Sequence, residues 1–201
     1  MRDRLLTAAA LAWLAAVVLI AIFGFGIGPS DVGSSPDTFT DGCVPRMLAS
    51  SLLVDDEPVW GQVALLLFVS LLLLARAGAV TWWLTALLGH VGSALLAYGV
   101  IAIAVALGSA SAKAATDDWD YGISCVLGAQ LAALAYGAWQ ARARRAAGPL
   151  DGAILLLAAG ALVVFAVTVD WYGIEHFFAF AIGLAVAAWR APAGSPRRAA
   201  R

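Results

Sequence analysis

The chain has 201 residues, of which 63% are hydrophobic and 12% are charged, with a formal net charge of −1. A soluble domain usually carries about 25% charged residues and about 45–50% apolar ones. The mean hydropathy of +0.90 exceeds what a small soluble fold can bury, because about 30% of the unfolded chain's surface stays exposed after folding. The composition argues against an ordinary soluble domain, a disordered chain and a nucleic-acid-binding protein. It predicts an all-α polytopic protein in contact with the lipid bilayer.

Six segments are apolar and long enough to cross about 30 Å of hydrocarbon as helices of about 20 residues. In chain order they are predicted at 5–27, 59–75, 80–107, 121–140, 150–169 and 174–189. The first is longer than a signal-peptide core and lacks a clear cleavage site, which favours a retained anchor. Residues 1–190 are predicted to form one six-span domain, and the Pro-, Arg- and Ala-rich segment 191–201 a disordered cytoplasmic tail.

The charges are divided between the two ends of these spans. Ten of the 12 basic residues lie on one side: Arg2, Arg4, Arg76, Arg142, Arg144, Arg145, Arg190, Arg197, Arg198 and Arg201. Eleven of the 13 acidic residues lie on the other: Asp31, Asp37, Asp41, Asp55, Asp56, Glu57, Asp117, Asp118, Asp120, Asp170 and Glu175. The positive-inside rule places both termini in the cytoplasm. The Arg and Ala bias indicates a GC-rich bacterial genome, so the predicted location is a bacterial plasma membrane.

The segment 28–58 is the one long polar loop, and it is predicted to face outward. Its stretch 44–54 is amphipathic and fits either an interfacial helix or a loop with one short helix. The two cysteines, Cys43 and Cys125, allow at most one disulfide. Separate thiols are the preferred interpretation, and no cofactor or metal site is predicted.

Polar groups at membrane depth are costly, which makes them functional candidates. The conspicuous ones are His90, Ser93, Ser124, Gln130, Glu175 and His176, followed by the cheaper Ser70, Thr85 and Thr168. Asp170 and Glu175, beside His176, are interpreted as solvated turn residues rather than as partners of its ring. His90 lies near the middle of the third span, where a buried hydrogen bond between helices is the favoured role.

Ser124 and His176 are predicted at similar depth near the outer face. Ser124, Gly128 and Ala132 form one small-residue stripe, and His176, Ala179, Gly183 and Ala187 form another. Such stripes let membrane helices approach closely. Packed face to face, they would place the His176 imidazole beside the Ser124 hydroxyl, the minimal form of an activated nucleophile. Small-residue packing without chemistry explains the same pattern.

At these residues the sequence resembles the rhomboids, a family of six-span intramembrane serine proteases. Gly122-Ile123-Ser124-Cys125-Val126-Leu127-Gly128 stands where rhomboids carry G-x-S-G-x-x-x-G, and His176-x-x-Ala179-x-x-x-Gly183 stands where they carry H-x-x-G-x-x-x-G. With Gly89-His90-Val91-Gly92-Ser93 in the third span, the pattern is similar to a divergent bacterial group called rhomboid-like proteins. The resemblance implies Ser124 as nucleophile and His176 as base, with Gly122 and Cys125 supporting the oxyanion and Gly128, Ala179, Gly183, His90 and Gly92 packing helices.

The sequence departs from the rhomboid pattern at four places. Ala129 stands at the last glycine of the serine pattern, with Gly128 one residue earlier, and Ala179 replaces the first glycine of the histidine pattern. Cys125 replaces the glycine after the nucleophile, and the second span begins Val59-Trp60-Gly61-Gln62-Val63 where rhomboids carry H-x-x-x-N. Only Gln62 could donate a hydrogen bond there. Loss of one oxyanion donor costs about 10²–10³ in rate in a studied serine protease.

Three functions therefore stay open. The first is an intramembrane serine protease acting on membrane-anchored substrates, and the second is an inactive rhomboid-like protein that binds transmembrane clients. A small transporter is the third and is disfavoured, because no charge is predicted deep in a span.

Overall fold

The computed structural model describes residues 2–38, 43–54, 58–167, 170–171 and 173–191. The predicted tail lies almost wholly outside these ranges, as does Thr168. The described part is helical, apart from loops and an isolated antiparallel bridge between Ser34 and Asp120. Its α-helices are α1 Arg2–Phe23, α2 Pro29–Val32, α3 Cys43–Ser50, α4 Val59–Leu87, α5 Ser93–Ala106, α6 Ala110–Ala114, α7 Ser124–Ala143, α8 Pro149–Val167 and α9 Gly173–Arg190.

Three helical stretches are long and apolar enough to cross a membrane, as judged on the described residues. They are Arg2–Phe23, Val59–Ala106 and Pro149–Val167. Large apolar side chains project outward from them, with Leu19 48%, Leu156 76% and Val163 62% exposed. Exposed apolar surface on this scale suits lipid rather than water. The chain therefore has the character of a helical membrane protein.

The helix α4 is interrupted at Gly78, whose φ of 79° and ψ of 170° are not helical. A positive φ of this size is accessible to glycine at little cost. Beyond Leu87 the chain continues through a π-helical segment, Leu88–Gly92, into α5. The sequence predicted two spans separated near 76–79, and the structure replaces that loop with a single non-helical residue.

The helix α7 lies at the centre and contacts α4, α8, α9 and the π-helical segment. Small side chains make this possible, because alanine and glycine let helix backbones approach one another closely. A Cβ added at Gly183 of α9 would overlap the Ala129 backbone, and one added at Gly89 would overlap the Ala129 side chain. Ala129 is thus the point at which three helical segments meet.

The boundaries of two predicted spans change in the structure. The first helix ends at Phe23 rather than at Ile27, since Gly24, Phe25 and Gly26 adopt positive φ values. The fourth begins at Ser124 rather than at Tyr121. Gly122 has a φ of 108°, which no helix accommodates.

The polar segment 28–58 contains α2, a 3-10 turn Pro36–Thr38 and α3. The short helix α3 has Met47 and Ser50 fully buried, while Val44 and Leu48 are 46% and 45% exposed. Arg46 of α3 donates to the Ser30 carbonyl at 2.9 Å and lies over the Trp119 ring at 5.2 Å. The stretch 44–54 contains this one short helix, which packs into the protein on one face and exposes apolar side chains on the other.

Candidate functional site

Ser124 and His176 occupy the N-terminal ends of neighbouring helices. Ser124 is the first residue of α7, instead of lying four residues inside a span, and His176 lies in the first turn of α9. Both side chains are half-buried. The pairing of these two side chains as a dyad stays a prediction.

A third helix contributes a ring contact to His176. Phe165 of α8 stacks on His176 with ring centroids 4.8 Å apart and an interplanar angle of 15°. The tip of the Phe165 ring also lies 3.8 Å from the position a Cβ would take at Gly128. Phe165 therefore reaches both the Ser124–Gly128 face of α7 and the imidazole of α9.

The α7 face that packs on α9 is offset by one residue from the predicted face. Cys125 and Ala129 of α7 form a buried cluster with Ala179 of α9, and Gly183 packs on Ala129. One residue of α-helix corresponds to a rotation of about 100°. The α7 residues observed against Ala179 and Gly183 are thus Cys125 and Ala129, whereas Gly128 lies beside Phe165 of α8.

The same offset buries Glu175, which the sequence analysis interpreted as a solvated turn residue. Glu175 is 2% exposed. Its Oε1 lies 3.0 Å from the Ser93 hydroxyl, which donates to it, and its carboxyl also contacts the Cys125 thiol and the Asp120 carboxyl. Glu175, Ala179 and Gly183 are spaced by four, so the small-residue stripe of α9 begins at the glutamate and not at the histidine. Asp170, by contrast, stays exposed and accepts the Gly173 N–H.

Asp120 extends this cluster to the outer loops. The Tyr98 hydroxyl donates to Asp120 Oδ2 at 3.1 Å and lies 2.9 Å from the Ser34 hydroxyl. The backbone bridge between Ser34 and Asp120 adds two hydrogen bonds of 3.0 and 2.7 Å. We call the set Ser34, Ser93, Tyr98, Asp120, Cys125 and Glu175 the buried polar cluster.

His90 lies beside this cluster and ties α3 to the interior. The ring is 3% exposed, and its Nε2 lies 2.8 Å from the Met47 carbonyl and 3.1 Å from the Ser50 hydroxyl. The π-helical segment carries His90 and places it one turn from Ser93. A π-helical turn is often found at functional positions.

The other predicted supporting residues have different surroundings. The Gly122 N–H donates to the Ser50 carbonyl at 3.1 Å, which engages a donor that was expected near an oxyanion. Cys125 is a buried free thiol, and the side chain of Cys43 lies outside the described residues. Gln62 lies in the first turn of α4, half-buried. A Cβ at Gly92 would meet Ile182 of α9 at 3.4 Å, so Gly92 does lie in a helix contact.

The buried polar cluster joins several helices through its side chains. Hydroxyl and thiol groups surround the two carboxyls and can donate hydrogen bonds to them. The spacing of Glu175 from Ala179 and Gly183 was the one sequence signal that pointed to its burial.

No protein-family description, curated protein or solved structure matches this chain.

Proposed function

We propose that the chain is a six-span, rhomboid-like integral membrane protein that binds transmembrane clients without cleaving them. The contact that carries this proposal is the stacking of His176 on Phe165, whose ring also reaches the Gly128 face of α7. An imidazole held in this way is directed toward α8, whereas general-base catalysis needs it within hydrogen-bond reach of the nucleophile.

The length of the apolar stretches supports six crossings. The stretch Val59–Ala106 has 48 residues, which corresponds to about 70 Å of helix, more than twice the hydrocarbon thickness. The break at Gly78 divides it into two parts of suitable length. With α1 and α8 these parts account for four crossings, and the proposal assigns the remaining two to α7 and α9.

Exposed apolar faces on α1 and α8 are where lipid or a client helix would pack. Leu11 of α1 is 45% exposed, and Val163 of α8 is 62% exposed. A photoreactive amino acid at each position, in cells that express a transmembrane reporter helix, tests client binding. We expect cross-linking from at least one position, and expect it to persist in Ser124→Ala.

A serine-reactive fluorophosphonate probe separates this proposal from a protease. We expect that no probe labelling depends on Ser124, so that the wild type and Ser124→Ala are labelled to the same extent. Labelling lost in Ser124→Ala and in His176→Ala, together with cleavage of the reporter, would contradict the proposal.

The protease stays the second candidate for a specific reason. Ser124 and His176 begin two helices that pack closely through Ala129 and Gly183. Replacing the Phe165 ring by alanine would leave the imidazole free to turn toward α7. Probe labelling in Phe165→Ala that vanishes in the double variant Phe165→Ala/Ser124→Ala would show that the stacked ring is what holds the dyad apart.

A further inference from the structure

A cavity of about 510 Å³ opens where α4 breaks at Gly78 and where α7 and α9 end. Three arginines from these three places line it: Arg76, Arg144 and Arg190. Its other lining residues are mostly alanine and glycine, with Thr81, Tyr136 and Gln140 as the uncharged polar side chains. The cavity thus combines guanidinium groups at its rim with a smooth, weakly polar wall.

Among the described residues, the positive charge of this cavity is balanced only in part. Arg76 forms an ion pair with Asp151 at 2.5 Å, and the Asp151 carboxylate also accepts the Gly148 N–H at 2.8 Å. Within the described ranges, no acidic side chain pairs with Arg144 or Arg190. Two guanidinium groups therefore face the same cavity without a counter-charge, next to a third that is held in place by its carboxylate.

Two tryptophans indicate that the cavity lies at the level of the membrane surface. Trp139 and Trp189 directly precede Gln140 and Arg190, and they are 56% and 73% exposed. Exposed tryptophan is typical of the headgroup level of a bilayer. A second cavity of about 350 Å³ shares the wall formed by Ala77, Ala133, Gly137 and Ala141. Weakly polar space therefore continues past the arginines.

We propose that this cavity binds the phosphate headgroup of an anionic phospholipid from the inner leaflet. Guanidinium groups bind phosphate through paired, charge-assisted hydrogen bonds, and basic pockets between spanning helices on the cytoplasmic side suit lipid headgroups. The unpaired arginines hold the phosphate, and the alanine and glycine wall accommodates the start of an acyl chain. The proposal rests on the membrane orientation of the proposed function, but not on whether clients are bound or cleaved.

The test compares two variants that remove the same charge. Purified full-length protein is mixed with phosphatidylglycerol or phosphatidylcholine in detergent micelles, and bound lipid is counted by native mass spectrometry. Arg144→Gln/Arg190→Gln removes the unpaired cavity arginines, and Arg142→Gln/Arg145→Gln removes two arginines at the same helix end that do not line the cavity. We expect phosphatidylglycerol to bind the wild type preferentially, and its affinity to fall about tenfold or more in the cavity variant only.

Other outcomes would overturn the proposal. Equal binding of the two lipids by the wild type would do so, as would an equal loss in both variants. Inorganic phosphate or glycerol phosphate that displaces the lipid at similar concentration would indicate a soluble phosphate ligand instead. If the cavity variant fails to fold, the wild-type protein still tests the proposal. Its binding of the phosphatidylglycerol headgroup must weaken as the salt concentration is raised, because salt screens charge attraction.

Discussion

Glu175 and Gly183 determine how α9 sits on α7, and both belong to one stripe of the α9 surface. Gly183 allows the backbones to touch at Ala129. Glu175 lies on the same stripe, about two turns before Gly183, and is buried against Ser93 and Cys125. A carboxyl in this position is stabilised only if its oxygens find hydrogen-bond partners, because burial without them is costly. A substitution at each of these two residues tests this packing.

Replacing Gly183 by alanine is expected to destabilise the protein strongly, because the new Cβ would overlap the Ala129 backbone. Overpacking of this kind costs typically about 1–3 kcal/mol. The measurement is thermal unfolding in detergent. The matched control is Gly160→Ala in α8, where an added Cβ meets nothing within 4 Å. Equal unfolding temperatures for the two variants would show that α7 and α9 are not packed at this distance.

Removing the Glu175 carboxyl tests whether the buried polar cluster holds the helices together. Glu175→Ala leaves the Ser93 hydroxyl and the Cys125 thiol without this partner, which is expected to cost about 1–3 kcal/mol of unfolding free energy. Glu175→Gln keeps the shape and most hydrogen bonds, so its loss should be clearly smaller. Chemical denaturation in detergent measures both. A glutamine variant as unstable as the alanine variant would indicate that the carboxyl is needed as an acid.

The elements of the outer loops are held by a few contacts between short helices. The α3 helix is tied to the interior through His90 and Ser50, and the bridge between Ser34 and Asp120 joins the two polar loops. The 3-10 turns Pro36–Thr38 and Ala115–Asp117 also lie against each other. Such local contacts make these loops the region most sensitive to solution conditions.

The contact between the two 3-10 turns is expected to depend on pH. The Asp37 carboxyl, by hydrogen bond and by charge, raises the pKa of Asp117 above its usual range. The pKa of Asp117 is thus higher in the folded protein than in the unfolded one, where it lies near 4. A group of this kind stabilises the fold at pH values below the unfolded pKa, and its contribution is lost as pH rises through the folded pKa. The wild type should therefore lose part of its loop stability from acidic to neutral pH.

Asp37→Asn should remove this pH dependence, because it removes the like charge. Limited proteolysis of the outer loops with an acid-tolerant protease, between about pH 4 and pH 7, measures the effect. Asp3→Asn serves as the control, because Asp3 lies in the first turn of α1 and the outer loops follow the other end of that helix. A pH response that is unchanged in Asp37→Asn would exclude the carboxyl pair as its cause.

In the whole molecule, the described arginines other than Arg46 lie at one end of the bundle, and the acidic loops lie at the other. Arg76 and Asp151 meet where α4 breaks and α8 begins, and Arg144 and Arg190 line the same cavity. The buried polar cluster and the outer-loop helices gather at the other end of α7 and α9. The bundle is therefore asymmetric in charge along its long axis, as the positive-inside rule requires of an oriented membrane protein.

This asymmetry predicts the accessibility of single cysteines in a Cys43→Ser/Cys125→Ser background. A cysteine at exposed Ser111, in the same predicted outer loop as Gly108, should react with a membrane-impermeant maleimide in intact cells. A cysteine at exposed Gly148 should react only after the membrane is opened. The reverse pattern would invert the orientation, and equal reaction at both sites would contradict the single crossing, by α7, that separates them.

The sequence by itself determined the all-helical character and the apolar helices suited to a membrane, because hydropathy and length are properties of each segment alone. The separation of charges is equally visible in the sequence, and the orientation predicted from it stays a prediction. Helix ends were predicted within a few residues, and the exceptions follow from glycines with positive φ at Gly24, Gly26 and Gly122.

Only the tertiary structure decided which face of each helix is buried. The α7 stripes beginning at Ser124 and at Cys125 both carry small residues, and the same holds for the α9 stripes beginning at Glu175 and at His176. One residue rotates a helix face by about 100°, and the choice depends on backbone contact at Ala129 and on the Phe165 ring from α8. Those contacts come from residues distant in sequence, which is why Glu175 was predicted to be solvated and is buried, while His176 lies against Phe165.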